Sequence, residues 1–231
     1  MKREVVRSRN FVQDAAQFIL GQARAALAER DSFRIALSGG NTPRPVYTEF
    51  ARIARDIPWE RVHFTFGDER CVPPDDAQSN YRMARESLFV PGAVPERSVS
   101  RMRGEIDPQI AAQEYQDGLD LLATQAGEQI YRHDLILLGV GDDGHTASLF
   151  PGTPALEEKL RRVVANFVPK FDSWRITYTL PLISQARHVA FLADAHKHRP
   201  LLEKILEGDQ QYPAARVAPV NGHLTWILGE S

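Results

Sequence analysis

The sequence predicts an α/β fold, with a mainly parallel sheet flanked by helices in a Rossmann-like three-layer architecture. Three observations carry that reading. Short apolar runs alternate with stretches of helical periodicity. Three of those runs lead directly into glycine-bearing polar segments, as expected where strand ends open into a ligand crevice. The length of 231 residues, with 43% hydrophobic and 25% charged content, suits one domain over residues 1–231 that buries a full core.

Along the chain, residues 10–30 place Phe11, Ala15, Phe18, Ile19, Ala26 and Leu27 at helical spacing. Phe33-Arg34-Ile35-Ala36-Leu37 then reads as a strand, Ser38-Gly39-Gly40-Asn41-Thr42-Pro43 as a turn, and residues 45–55 as a helix. The order repeats: a strand at Val62–Phe66, the segment Gly67-Asp68-Glu69-Arg70, a Pro/Asp-rich loop, and a helix over 80–88. A third copy runs from Leu135–Leu138 into Gly139-Val140-Gly141-Asp142-Asp143-Gly144-His145. Further strands are expected at 176–180, 189–192 and 224–228, with a helix over 200–206 and a surface connection over 91–104. Parallel neighbours require crossovers, so this alternation favours a parallel sheet covered on both faces.

Bulk properties narrow the function. With 28 basic and 30 acidic residues, the chain offers no broad field for nucleic acid or an anionic membrane. No stretch approaches the roughly 20 apolar residues needed to span a bilayer, and the start, Met1-Lys2-Arg3-Glu4, lacks a signal core, so a cytoplasmic location is expected. The single cysteine, Cys71, excludes an internal disulfide and reads as a small core filler rather than a nucleophile. Monomer and small homo-oligomer both stay open.

The three polar segments carry the candidate chemistry. Ser38, Gly39, Gly40, Asn41 and Thr42 lie where amides at a helix start can cradle an anion, although glycines there also serve turn geometry alone. Neither a P-loop nor a dinucleotide fingerprint is present, so ATP and NAD are not supported. In the second segment Arg70 can grip a phosphate, with Asp68 or Glu69 on sugar hydroxyls; a solvated charge cluster is the alternative. In the third, His145 can exchange a proton near neutral pH and Asp143, two residues earlier, can fix its tautomer. No set of metal ligands accompanies them, so no metal is expected. His196-Lys197-His198-Arg199 is a basic knot that either faces the crevice or starts a solvated helix.

Taken together, these segments resemble the 6-phosphogluconolactonases, which share a superfamily with glucosamine-6-phosphate isomerases. The resemblance rests on 37–43 (Leu-Ser-Gly-Gly-Asn-Thr-Pro), Gly67-Asp68-Glu69-Arg70 with Val72-Pro73 and Ser79-Asn80-Tyr81, the run from Leu138 to Gly152, and 175–181 (Arg-Ile-Thr-Tyr-Thr-Leu-Pro). It implies a hydrolase that opens 6-phospho-D-glucono-1,5-lactone to 6-phospho-D-gluconate in the oxidative pentose phosphate pathway, with no cofactor. His145 would activate water, Asp143 would orient the imidazole, and amides near Gly141 and Gly144 would steady the oxyanion. The phosphate would lie on the Ser38–Thr42 turn and Arg70, assisted by Arg175.

Two departures bear on that picture. The family pattern places a phosphate-binding lysine after the strand near Phe191-Leu192, where this chain has His198, with Lys197 one position early; either a shifted turn brings Lys197 to the phosphate, or His198 and Arg199 take over. The isomerase pattern Asp-Gly-His-Ile-Ala-Phe-Asn-Glu ends on an acidic residue where this chain has Phe150, leaving the isomerase relay incomplete. A glucosamine-6-phosphate isomerase/deaminase and a non-catalytic sugar-phosphate sensor remain the alternatives, the latter without any helix-turn-helix or basic arm.

Overall fold

Alternation with a period of two sets the layers. The computed structural model describes residues 2–197 and 199–230. In chain order its strands are β1 (Lys2–Ser8), β2 (Phe33–Leu37), β3 (Val62–Phe66), β4 (Asp68–Arg70), β5 (Leu135–Leu138), β6 (Val163–Val168), β7 (Ser173–Tyr178), β8 (His188–Asp194) and β9 (His223–Gly229). Six of them form one parallel sheet in the order β1-β9-β8-β5-β2-β3. The helices are α1 (Phe11–Arg30), α2 (Pro43–Ile53), α3 (Asn80–Ala84), α4 (Pro108–Gln125), α5 (Leu180–Ile183) and α6 (Arg199–Glu207).

On one face of the sheet, Phe33, Ile35, Leu37, Leu135, Leu137 and Leu192 pack with Ile19 of α1 and Tyr47 and Phe50 of α2. On the other, Ala36, Ile136, Leu138, Phe191 and Trp226 pack with Tyr115 and Leu119 of α4 and with Val164, Ile176 and Tyr178. Each fully buried leucine or phenylalanine contributes about 1.5–3 kcal/mol over an exposed one, so this double-sided burial fixes the register of the central strands.

The expected parallel sheet with a layer on each face is present, and the second face carries a further element. A separate antiparallel sheet, ordered β4-β7-β6, lies in that layer beside α4. The strand expected over 176–180 is therefore β7 of this small sheet, not a member of the parallel one. Apolar alternation gives a strand but not its partner.

Chain direction creates the crevice. From β2 the chain passes through α2 to β3 on one side of the sheet, while β5 lies on the other side of β2 and leads toward β8 and β9. Connections thus diverge between β2 and β5, the switch point at which α/β sheets open a binding cleft beyond their carboxyl ends.

Candidate active site

Three chain segments meet at that switch point. A cavity of about 170 Å³ is lined by Ser38, Gly39 and Gly40 after β2, by Asp68 and Arg70 of β4, and by Gly139, Val140, Gly141, His145, Thr146 and Ala147 after β5. A larger groove of about 460 Å³ between α4 and β6 has Arg161 as its only charged side chain and no base–carboxylate pair.

The turn after β2 is held from below. The Tyr47 hydroxyl accepts from the Ser38 amide and donates to the Ser38 carbonyl, both at 2.9 Å. Gly39 is pressed against Asn80, and a Cβ at that position would overlap its side-chain amide. Asn41 and Thr42 complete the turn into α2, with Gly40 at φ 102°.

In the second segment the residues after Gly67 form a strand rather than a loop, and this decides which side chains reach the cavity. Asp68 and Arg70 share one face of β4, while Glu69 points the opposite way. Expected to be a substrate contact, the Glu69 carboxylate is instead buried and accepts from the amides of Arg70, Asn80 and Tyr81 at 2.7–2.8 Å and from Ser79 Oγ. Burial pushes its pKa up and the amide hydrogen bonds oppose that rise. Asp68 accepts from Ser148 Oγ at 2.7 Å and from Asn80 Nδ2 at 3.2 Å. The Arg70 guanidinium donates to the Gln78 carbonyl. Arg175 on β7 is its direct cross-strand partner, so two guanidiniums stand on one face, an unfavourable arrangement without an anion nearby. Burial, and then Arg70, lower the Arg175 pKa. Burial pushes the neighbouring Cys71 thiol up to about 11, which makes it a poor nucleophile.

The third segment holds the candidate base. His145 Nδ1 lies 2.5 Å from Asp143 Oδ1, and the His145 amide donates to the same oxygen at 3.2 Å. With Nδ1 protonated toward Asp143, Nε2 is the basic nitrogen. Phe150 stacks on the imidazole at 3.9 Å and 23°. Beneath the ring lies Gly141, where a Cβ would overlap His145. Gly144 adopts φ 77°, and its missing side chain leaves room for Tyr212.

One expectation about this loop is corrected. The Gly141 amide donates to the His145 carbonyl at 3.0 Å and the Gly144 amide to the Gly141 carbonyl at 2.9 Å. Both amides serve the loop itself and are not available to an oxyanion. By contrast, the buried hydroxyls of Ser38 and Thr146 have no protein hydrogen-bond partner.

The basic knot stands at the rim. Lys197 Nζ lies 3.8 Å from Asp142 Oδ1, and the amides of His196 and Lys197 cap Asp194 at the end of β8. His198 lies outside the described residues. Sequence reasoning missed Lys170, whose ammonium meets Asp143 Oδ2 at 2.8 Å. Only the small sheet brings it there, and no local motif marks it. Among the described residues, no three or more His, Cys, Asp or Glu side chains are grouped to hold a metal ion, and no helix is long and apolar enough to cross a membrane.

Residues 7–226 match the model of the family described as glucosamine-6-phosphate isomerases/6-phosphogluconolactonase. The chain belongs to this family. It is 45% identical to a 6-phosphogluconolactonase of Synechocystis over 89% of this chain and 85% of the relative, and 37% identical to that of Homo sapiens over 94% and 86%. Among solved structures, 6-phosphogluconolactonase from Trypanosoma cruzi superposes with a TM-score of 0.86 at 31% identity, covering 99% of this chain and 95% of the other. The Thermotoga maritima 6-phosphogluconolactonase gives a TM-score of 0.85 at 28% identity, covering 99% and 100%. The family spans two chemistries, and Phe150 against His145 bears on the choice between them.

Proposed function

We propose that this protein hydrolyses 6-phospho-D-glucono-1,5-lactone to 6-phospho-D-gluconate. The observation that carries the reading is the His145–Asp143 pair in the switch-point cavity, with an uncharged ring, Phe150, stacked on the imidazole. Isomerisation needs an acidic partner at that place to help histidine through ring opening. Hydrolysis of a δ-lactone needs only a positioned water, a base and donors for the oxyanion.

In this mechanism Nε2 of His145 takes a proton from water as the oxygen attacks C1. Asp143 holds the ring and stabilises the imidazolium that forms. Collapse of the tetrahedral intermediate breaks the bond from C1 to the ring oxygen, which receives the proton from His145. The Thr146 and Ser38 hydroxyls, buried without partners in the cavity-lining residues, are the candidate oxyanion donors. Arg70 and Arg175 hold the phosphate with the Ser38–Thr42 turn, and Lys197 approaches from the rim. Assignment to the cytoplasm accords with a pentose phosphate role.

The test is hydrolysis of freshly generated lactone beside turnover of glucosamine 6-phosphate. The expected result is acceleration of lactone opening above its spontaneous rate, with no turnover of the amino sugar. His145→Ala should reduce the catalysed rate by ~10² to 10⁴. Folded protein that leaves the lactone rate unchanged would defeat the reading.

A further inference from the structure

The β6–β7 hairpin brings a charged residue up behind the base. At its bend, Pro169–Phe171 form a short 3-10 turn that ends on Asp172 in the left-handed region, φ 46°. Lys170 on this turn donates to Asp143 Oδ2 at 2.8 Å while Asp143 Oδ1 faces His145 Nδ1 at 2.5 Å. One carboxylate is therefore divided between an imidazole and an ammonium. The next residue, Phe171, stands edge-on to Phe150 at 5.7 Å, and Phe150 is the ring stacked on His145. The same turn thus braces both the carboxylate and the ring that define the imidazole's position.

We propose that Lys170 is a positioning residue of the hydrolytic site: it locks the Asp143 carboxylate toward His145 and offsets its charge, so that the imidazole is held as a neutral base. The inference rests on the lactonase reading and on His145 as its base. An unopposed carboxylate against an imidazole favours the imidazolium, and a base that already carries its proton cannot take one from water. A lysine on the far oxygen weakens that pull without removing the hydrogen bond that fixes the ring. Although burial favours the neutral acid, the Lys170 and His145 hydrogen bonds prevail and hold the Asp143 carboxyl at about 2, so it stays ionised through the working range.

Other charged groups stand on the elements around the same imidazole. Asp68 and Arg70 line the cavity with it, Arg175 lies 5.7 Å from the Phe171 ring, and Asp142, which Lys197 approaches from the end of β8, precedes it on the loop. All remain in place when Lys170 alone is changed. Because Lys170 is about half exposed, solvent and salt screen its effect, which should weaken as ionic strength rises.

The experiment compares the full-length protein with Lys170→Gln and Lys170→Arg. The His145 imidazole is titrated by NMR in each, and kcat/KM for the lactone is followed against pH. For Lys170→Gln, both the imidazole midpoint and the acid limb of kcat/KM should move to higher pH. Lys170→Arg should restore both. An unmoved or lowered midpoint in folded Lys170→Gln would overturn the proposal, even if kcat or melting temperature fell, since that pattern marks a merely structural tie. Should the wild-type protein leave the lactone untouched, the functional reading fails while the NMR titration still decides the role of Lys170.

Discussion

At the scale of single residues, the site depends on an absent side chain as much as on those present. The imidazole of His145 lies over Gly141, so Gly141→Ala puts a methyl group where the ring stands. A misplacement of about 1 Å lowers turnover by roughly 10²-fold, and that is the loss in kcat expected for this variant, with the fold retained by circular dichroism. Turnover close to normal would mean that the ring works from another position. The contact between His145 and Asp143 was legible in the sequence because the two residues stand two apart on one loop. Glu69 lies away from the cavity because Asp68–Arg70 form a strand, and period two sends Asp68 and Arg70 one way and Glu69 the other. Lys170 stands 27 residues from Asp143 and meets it only through tertiary structure.

At the scale of elements, the same Glu69 joins β4 to the start of α3. Its carboxylate takes three backbone amides and the Ser79 hydroxyl, and Asn80, thus fixed, reaches both Asp68 and Gly39. Glu69→Ala leaves those buried amides without an acceptor, and a stability loss of about 3 kcal/mol or more is expected from urea denaturation. Glu69→Gln keeps one acceptor oxygen and should lose less; equal midpoints for wild type and Glu69→Ala would show that the tie contributes nothing. Element boundaries in the parallel core were legible: Phe33–Leu37, Val62–Phe66 and Leu135–Leu138 match β2, β3 and β5. Elements with mixed environments were not. Six of the seven residues of β1 are exposed at the sheet edge, so its Lys, Arg and Glu mask a strand. α4 was absent from the expectation even though Asp107 caps the amides of Gln109 and Ile110 and Pro108 takes the first helical position, the usual start signature.

At the scale of the molecule, burial of neutral histidines couples the fold to pH. Burial lowers His63 to about 4, with a further contribution from Arg34, and lowers His133 to about 3, with contributions from His63 and Arg34. His63 is joined to Tyr131 and Ser100, and His133 to Thr65 and Tyr178. Well above pH 6.5 both are neutral in folded and unfolded chains. As pH falls toward 4 the unfolded chain takes up protons that the folded one does not, so stability falls, on the order of several kcal/mol in total. Denaturant midpoints measured from pH 7 to 4 should fall accordingly, and His133→Gln should flatten the curve. A stability independent of pH over that range would mean the two histidines are protonated in the fold.

The divergence of connections between β2 and β5 also constrains how activity can arise. Ser38, Asp68, His145 and Lys170 belong to segments spread over more than half the chain, and β2 meets β5 across 100 residues. Such distant contacts form late, because the entropy of closing long loops must be overcome first. Neither a chain ending before β5 nor one beginning there contains both walls of the cleft. Catalytic competence thus requires the pairing of β2 with β5, and a segment that lacks either wall lacks the cleft.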